Sequence, residues 1–147
     1  MRVETSVVVK RPIDEVWAFL TDTFNVPRFG GKAVLGFRQT SPGPIGVGTT
    51  YEGRVVLFGL ERRASGVITE WDPPHTVVYS LRAGILRDGF LRLTLETTSD
   101  GTRVVRVGEY NVRGIWRLLF AIARPFFGRW LRAENQNLKR LLEADRG

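Results

Sequence analysis

The chain has 147 residues, 43% of them hydrophobic, a length that suits one domain burying roughly 70% of its unfolded surface without cross-links. It has no cysteine and one histidine, which excludes a disulfide framework, a zinc-thiolate site, a cysteine nucleophile and a histidine metal cluster. The net charge of +7 comes from 22 Lys plus Arg against 15 Asp plus Glu, but the arginines are scattered singly, without the basic stripe interleaved with aromatics that nucleic-acid tracking needs.

Val3 to Lys10 alternates and is rich in valine, the pattern of a strand. Arg11-Pro12-Ile13-Asp14-Glu15 opens a helix, with proline at its start and two carboxylates where the macrodipole favours them. Val16, Trp17, Phe19 and Leu20 are its buried side. Thr21 to Gly31 has room for a short second helix or a turn, and Lys32 to Thr40 is the next strand. The Ser41 to Gly48 loop is glycine-rich, but its order is G-x-x-G-x-G, no Lys-Ser or Lys-Thr follows, and a strand comes next, so it is no phosphate loop.

Strands follow at Thr49 to Phe58, Glu61 to Trp71, Thr76 to Arg82, Asp88 to Thr97 and Thr102 to Val112, the last two joined through Ser99-Asp100-Gly101. Short turns make them antiparallel. His75 sits after a Pro-Pro turn as a solvated residue. Gly114 to Ala144 closes the chain as a long helix. At about 100° per residue Ile115, Trp116, Leu119, Ile122, Ala123, Phe126, Phe127, Trp130, Leu138 and Leu141 share one side, opposite a basic back of Arg113, Arg117, Arg124, Arg132 and Lys139. Pro125 predicts a kink or short break near Ala121 to Arg124. Glu134 and Asn137 intrude on the apolar side, where an unpaired carboxylate is costly. The start of the chain shows no charged leader followed by an apolar segment, and no run reaches the ~18 apolar residues of a membrane span, so a soluble, cytoplasmic protein without integral membrane association is expected.

A sheet of six to seven antiparallel strands with one apolar side needs a cover, and only the last helix is long enough. The motifs Pro12-Ile13-Asp14-Glu15-Val16-Trp17, Leu20-Thr21-Asp22, Gly46-Val47-Gly48-Thr49, Val67-Ile68-Thr69-Glu70-Trp71-Asp72-Pro73-Pro74, Gly101-Thr102-Arg103-Val104 and Asn137-Leu138-Lys139-Arg140-Leu141-Leu142-Glu143 follow in order. Together they resemble the polyketide cyclase/dehydrase-like branch of the START-like (SRPBCC) superfamily. The resemblance implies an α+β helix-grip fold over residues 1–147 as one domain, a curved antiparallel sheet wrapped around the C-terminal helix with one or two short helices after the first strand. It also implies an apolar cavity between sheet and helix for a lipid, polyketide, isoprenoid or aromatic metabolite. It carries no universal catalytic motif.

Trp17, Tyr51, Val55, Trp71, Tyr79, Phe90, Arg92, Tyr110, Trp116, Phe126, Trp130, Glu134 and Asn137 are the candidate cavity residues. Tyr51, Gly53, Val55 and Leu57 share a face, as do Val67, Thr69 and Trp71, and then Val77, Tyr79 and Leu81; one-residue slips invert such assignments. Phe90 and Arg92 share a face opposite Leu91, Leu93 and Leu95, and the leucines are the better core set. The inward face of the strand carrying Arg106 and Tyr110 is left open. Glu134 is the candidate general acid or base, its pKa raised by desolvation, with Arg54, Arg92, Arg106, Tyr79 and Tyr110 as candidate partners. The expected function is binding of a hydrophobic small molecule, with no metal and no nucleotide cofactor, as a monomer or homodimer. The alternatives are a cyclase, aromatase or dehydratase acting in the same cavity, and a membrane-surface or protein-interaction module using the basic amphipathic stretch Arg113 to Arg132.

Overall fold

Alternation and short polar turns give the strands expected of them. A computed structural model describes residues 2–22, 34–57, 59–83, 86–111 and 114–144. The strands are β1 (Arg2–Val9), β2 (Val34–Gln39), β3 (Thr50–Leu57), β4 (Leu60–Asp72), β5 (Thr76–Ala83), β6 (Leu86–Thr98) and β7 (Gly101–Asn111). The helices are α1 (Ile13–Thr21), which starts after an extended Pro12, and α2 (Ile115–Ala144). The short second helix expected before Gly31 lies outside the described residues.

All seven strands form one antiparallel sheet in the order β1-β7-β6-β5-β4-β3-β2. This is the helix-grip α+β architecture: β1 crosses to pair with β7, and the intervening strands run in sequence order to the far edge. The register fixes the inner face. Val9 pairs with Thr102, Val7 with Val104, Leu95 with Val104, Leu93 with Arg106, Tyr79 with Leu91 and Ile68 with Tyr79. Arg106 and Tyr110 therefore face inward, which settles the strand whose inner side alternation left open.

Two helices cover that face at one end. Val16, Trp17, Phe19 and Leu20 of α1 are buried with Val9, Ile68, Val77, Leu93, Leu95 and Val104 of the sheet and with Leu138 and Leu142 of α2. Trp17 meets Trp71 of β4 at a ring distance of 5.1 Å. The same end of α2 is tied to the β1–α1 junction: Arg11 Nε donates to the Leu142 carbonyl at 2.9 Å, and the Lys10 amide donates to Glu143 Oε1 at 3.1 Å. These bonds occupy carbonyl and carboxylate groups of the helix's last turn, where a cation also suits the macrodipole.

Because β7 ends at Asn111 and α2 ends beside Arg11, α2 runs back along the sheet from the Tyr110 end to the Val9 end. The helix is continuous through Pro125, so of the expected kink or short break the break does not occur. Proline removes one amide, and the carbonyl it would have served, that of Ala121, belongs to an exposed residue that water can satisfy. The single apolar side expected of α2 also divides. Leu138 is fully buried, but Ile115, Ile122 and Phe126 are 64–68% exposed, and Leu118 and Leu119 are exposed as well. Among the described side chains of α2, those buried by the sheet and α1 all lie in its C-terminal half.

Candidate functional site

The inner face is packed solid at its Val9 end and only half-buried at its Tyr110 end. Val9, Val77 and Val104 are completely enclosed, whereas Phe37, Tyr79 and Leu91, on the same face, remain partly exposed. The difference begins in the sequence. Gly53, Ala64, Gly66, Gly89 and Gly108 all point their missing or minimal side chains to this face, as their pairings with Phe37, Gly53, Tyr51 or Leu81, and Leu91 show.

Larger side chains lie down over these glycines. A Cβ placed on Gly89 would sit 2.6 Å from Tyr110 Cδ1, and one on Gly108 would sit 3.1 Å from the same ring. Phe37 lies over Gly53 in the same way, and Leu81 over Gly66. Rings that stand up from a pleated sheet fill the space above it; rings lying flat on glycine leave that space free. The surface over these glycines is apolar, with Arg106 facing inward on the same side of the sheet nearer the Val9 end.

Polar groups on it are few. Tyr51 is 5% exposed, and its hydroxyl is buried without a hydrogen-bond partner among the described residues. Tyr51 meets Tyr79 edge-on, ring centres 6.0 Å apart. Burial pushes both phenols above their ordinary value, and for Tyr79 the neighbouring Tyr51 adds a repulsive charge contribution. Both remain neutral hydrogen-bond donors throughout the physiological range. On α2, Asn135 is 4% exposed, and its side-chain oxygen is likewise buried without a partner among the described residues.

Of the residues singled out in the sequence, Trp17, Tyr51, Val55, Trp71, Tyr79 and Tyr110 share the inner face or pack upon it. Trp71 does so for an unforeseen reason. A bulge between Ile68 and Glu70 takes Thr69 out of register, so Trp71 pairs with Val77 and joins Ile68 on the inner face, while Val67 and Thr69 do not. Phe90 and Arg92 are on the outer face: they pair with Ser80 and Val78, opposite the leucines, and Arg92 Nη2 lies 3.6 Å from Glu70 Oε2. Arg54 is also outward and binds Glu61 at 2.9 Å. Phe126 is 68% exposed on α2. Asn137 is half-buried and its Oδ1 accepts from Arg140 Nη2 at 3.2 Å. The side chains of Trp116, Trp130 and Glu134 lie outside the described residues. His75 is an exposed turn residue, as expected.

Asn135, not Asn137, is the buried polar residue of the helix end. The signal was present: Asn135, Leu138 and Leu142 follow the i, i+3, i+7 spacing of a buried stripe. A register anchored on Trp130 and Leu141 rotated the helix away from it. Phe37 was also missed as an inner-face residue of the half-buried end, whereas Leu91 lies on the core face expected of the β6 leucines.

Among the described residues no group of three or more His, Asp or Glu side chains is placed to hold a metal ion. A family model described as polyketide cyclase / dehydrase and lipid transport matches residues 1–143. No curated protein matches the chain. Among solved structures, the protein TTHA0849 from Thermus thermophilus is 15% identical, with all of both chains covered and a TM-score of 0.82. The Zhui aromatase/cyclase from Streptomyces sp. R1128 is 17% identical over 97% of this chain and 93% of its own, with a TM-score of 0.75. Ara h 8.0201 is 16% identical over 94% and 97%, with a TM-score of 0.63. At these identities the likeness is one of fold.

Proposed function

The chain belongs to the polyketide cyclase/dehydrase and lipid-transport family, and from that premise we propose that it binds a hydrophobic small molecule between the inner face of the sheet and α2. The binding unit is a single domain over residues 1–147. The observation that carries this reading is the half-buried end of the inner face, where Phe37, Leu81 and Tyr110 lie over glycines and Tyr79 and Leu91 stay partly exposed. At about 0.8 kcal/mol per buried CH₂, an apolar ligand gains affinity there with few polar contacts. The unpartnered Tyr51 hydroxyl gives the ligand one polar anchor, which favours a molecule carrying a carbonyl or hydroxyl on an otherwise apolar body. Lipids, polyketides, isoprenoids and aromatic metabolites all meet that description.

Native mass spectrometry of the protein purified from its source tests the reading. The expected spectrum contains a small-molecule adduct removed by organic extraction. Protein that is consistently empty, and whose extracted form binds no apolar naphthalene fluorophore, contradicts it.

A second reading, a cyclase, aromatase or dehydratase acting in the same recess, is favoured by the neutral phenols of Tyr51 and Tyr79. A phenol donating to a substrate carbonyl stabilises the enolate that enolisation and dehydration pass through. Glu134 is the residue proposed to move the proton. Turnover of polyketide-like substrates that falls in both Tyr51→Phe and Glu134→Ala, with binding retained, supports this second reading. Binding without turnover supports the first.

A further inference from the structure

α2 carries a second surface, on its outside, that the recess does not use. Ile115, Leu118, Leu119, Ile122 and Phe126 are all exposed, three of them by 64–68%. Successive residues advance by about 100°, so these five occupy a stripe of about 100° width. Arg129 continues the stripe toward the C-terminus and Arg132 borders it, both exposed, while the exposed Arg117 and Arg124 stand on the opposite side. From Ile115 to Ala133 the helix has no acidic residue.

Several exposed arginines of the sheet are paired with carboxylates: Arg2 with Glu4 and Glu109, Arg38 with Glu52, Arg54 with Glu61 and Arg92 with Glu70. None of the ion pairs among the described residues involves the four arginines of the α2 stretch. Uncompensated positive charge and exposed apolar side chains therefore coincide on one half of one helix.

We propose that this half of α2 docks on the surface of an anionic lipid bilayer, with Ile115, Leu118, Leu119, Ile122 and Phe126 in the headgroup–acyl boundary and Arg129 and Arg132 on the lipid headgroups. Arginine suits the place because its stem lies along apolar surface while its guanidinium reaches the phosphate level. Pairing with a second copy of the chain is opposed by the same charges, since each copy would bring Arg129 and Arg132, and no acid from this half of the helix, to the contact. Insertion across the bilayer is not involved: no helix among the described residues is long and apolar enough to span it. The docking surface is separate from the recess, so either can fail while the other stands.

Co-sedimentation of the full chain with vesicles tests the proposal. Vesicles of phosphatidylcholine with phosphatidylglycerol are expected to bind it at low salt, vesicles of phosphatidylcholine alone to bind it weakly, and added salt to release it. Each of Arg129→Gln and Arg132→Gln is expected to lower partitioning roughly fivefold, and the Arg117→Gln, Arg124→Gln pair to lower it less than the Arg129→Gln, Arg132→Gln pair. Ile122→Ser with Phe126→Ser removes apolar insertion at exposed positions, and is expected to abolish sedimentation while leaving the melting temperature within a few degrees. Equal binding to both vesicle types, no binding to either, or indifference to Arg129 and Arg132 overturns the proposal. So does a dimer in sedimentation velocity that the Ile122→Ser, Phe126→Ser variant dissolves, or polyglutamate binding as tight as vesicle binding, which would give the face to a second copy or to an acidic protein.

Discussion

Truncating Leu138 and Ile122 to alanine separates the two halves of α2 by their stability. Leu138 is fully enclosed by α1 and the sheet, so Leu138→Ala loses about 2.4 kcal/mol of transfer free energy for three carbons, and a cavity raises the total to about 2.5–5 kcal/mol. For 147 residues an unfolding entropy of about 2.1 cal/mol/K per residue gives about 0.3 kcal/mol per degree. The melting temperature should fall by about 8–16 °C. Ile122 is 64% exposed, and alanine is the better helix former, so Ile122→Ala should change stability by no more than about 0.5 kcal/mol. Thermal melts followed by circular dichroism read both. A loss at Ile122 comparable to that at Leu138 would refute the division of the helix into an anchored half and an exposed half.

Gly89→Ala should drive the Tyr110 ring off the sheet at a cost of about 1–3 kcal/mol, and Tyr110→Ala in the same chain should relieve much of it, so a double-mutant cycle in urea denaturation should show clear coupling. Arg11→Met should lose about 1–2 kcal/mol in the same assay by withdrawing the bond to the Leu142 carbonyl. The pH dependence follows from Tyr79, whose folded pKa is raised above the ordinary 10.0 by burial and by Tyr51. Below that value the proton is held in both states and stability is complete; above it the unfolded state releases the proton first, and stability falls as pH rises. Tyr79→Phe should flatten this alkaline loss of melting temperature, and an unchanged slope would show that Tyr79 is not held neutral by its surroundings.

Much of the fold was legible because its strands obey simple rules. Each strand expected between Val3 and Val112 is present within two residues, since β-rich alternation and Pro, Gly and Asp turns fix both type and boundaries. Faces were harder. The bulge at Thr69 reverses alternation within β4, and nothing in Val67-Ile68-Thr69-Glu70-Trp71 marks it, because the extra residue is defined by pairing with β5. The leucines of β6 did indicate the inner side, and it was the chemistry of Phe90 and Arg92 that pointed the other way. On α2, periodicity identifies an apolar side but not how much of the sheet reaches it. One side of the helix is apolar through its first half, yet among the described residues the core contacts and the ties to Lys10 and Arg11 are at its C-terminal end. Asn135 was hidden by the same difficulty, a register read from the exposed half and applied to the buried one.

The central claim is that a hydrophobic ligand lies against the inner face of the sheet. Amide chemical-shift mapping on adding the ligand recovered from the purified protein, or an apolar naphthalene fluorophore in its place, tests it most directly. The account predicts perturbations concentrated at Phe37, Tyr51, Tyr79, Leu91 and Tyr110, with Arg38, Glu70 and Arg92 on the outer face unmoved. Perturbations centred on Glu70 and Arg92, or confined to Ile115, Ile122 and Phe126 outside α2, would contradict it.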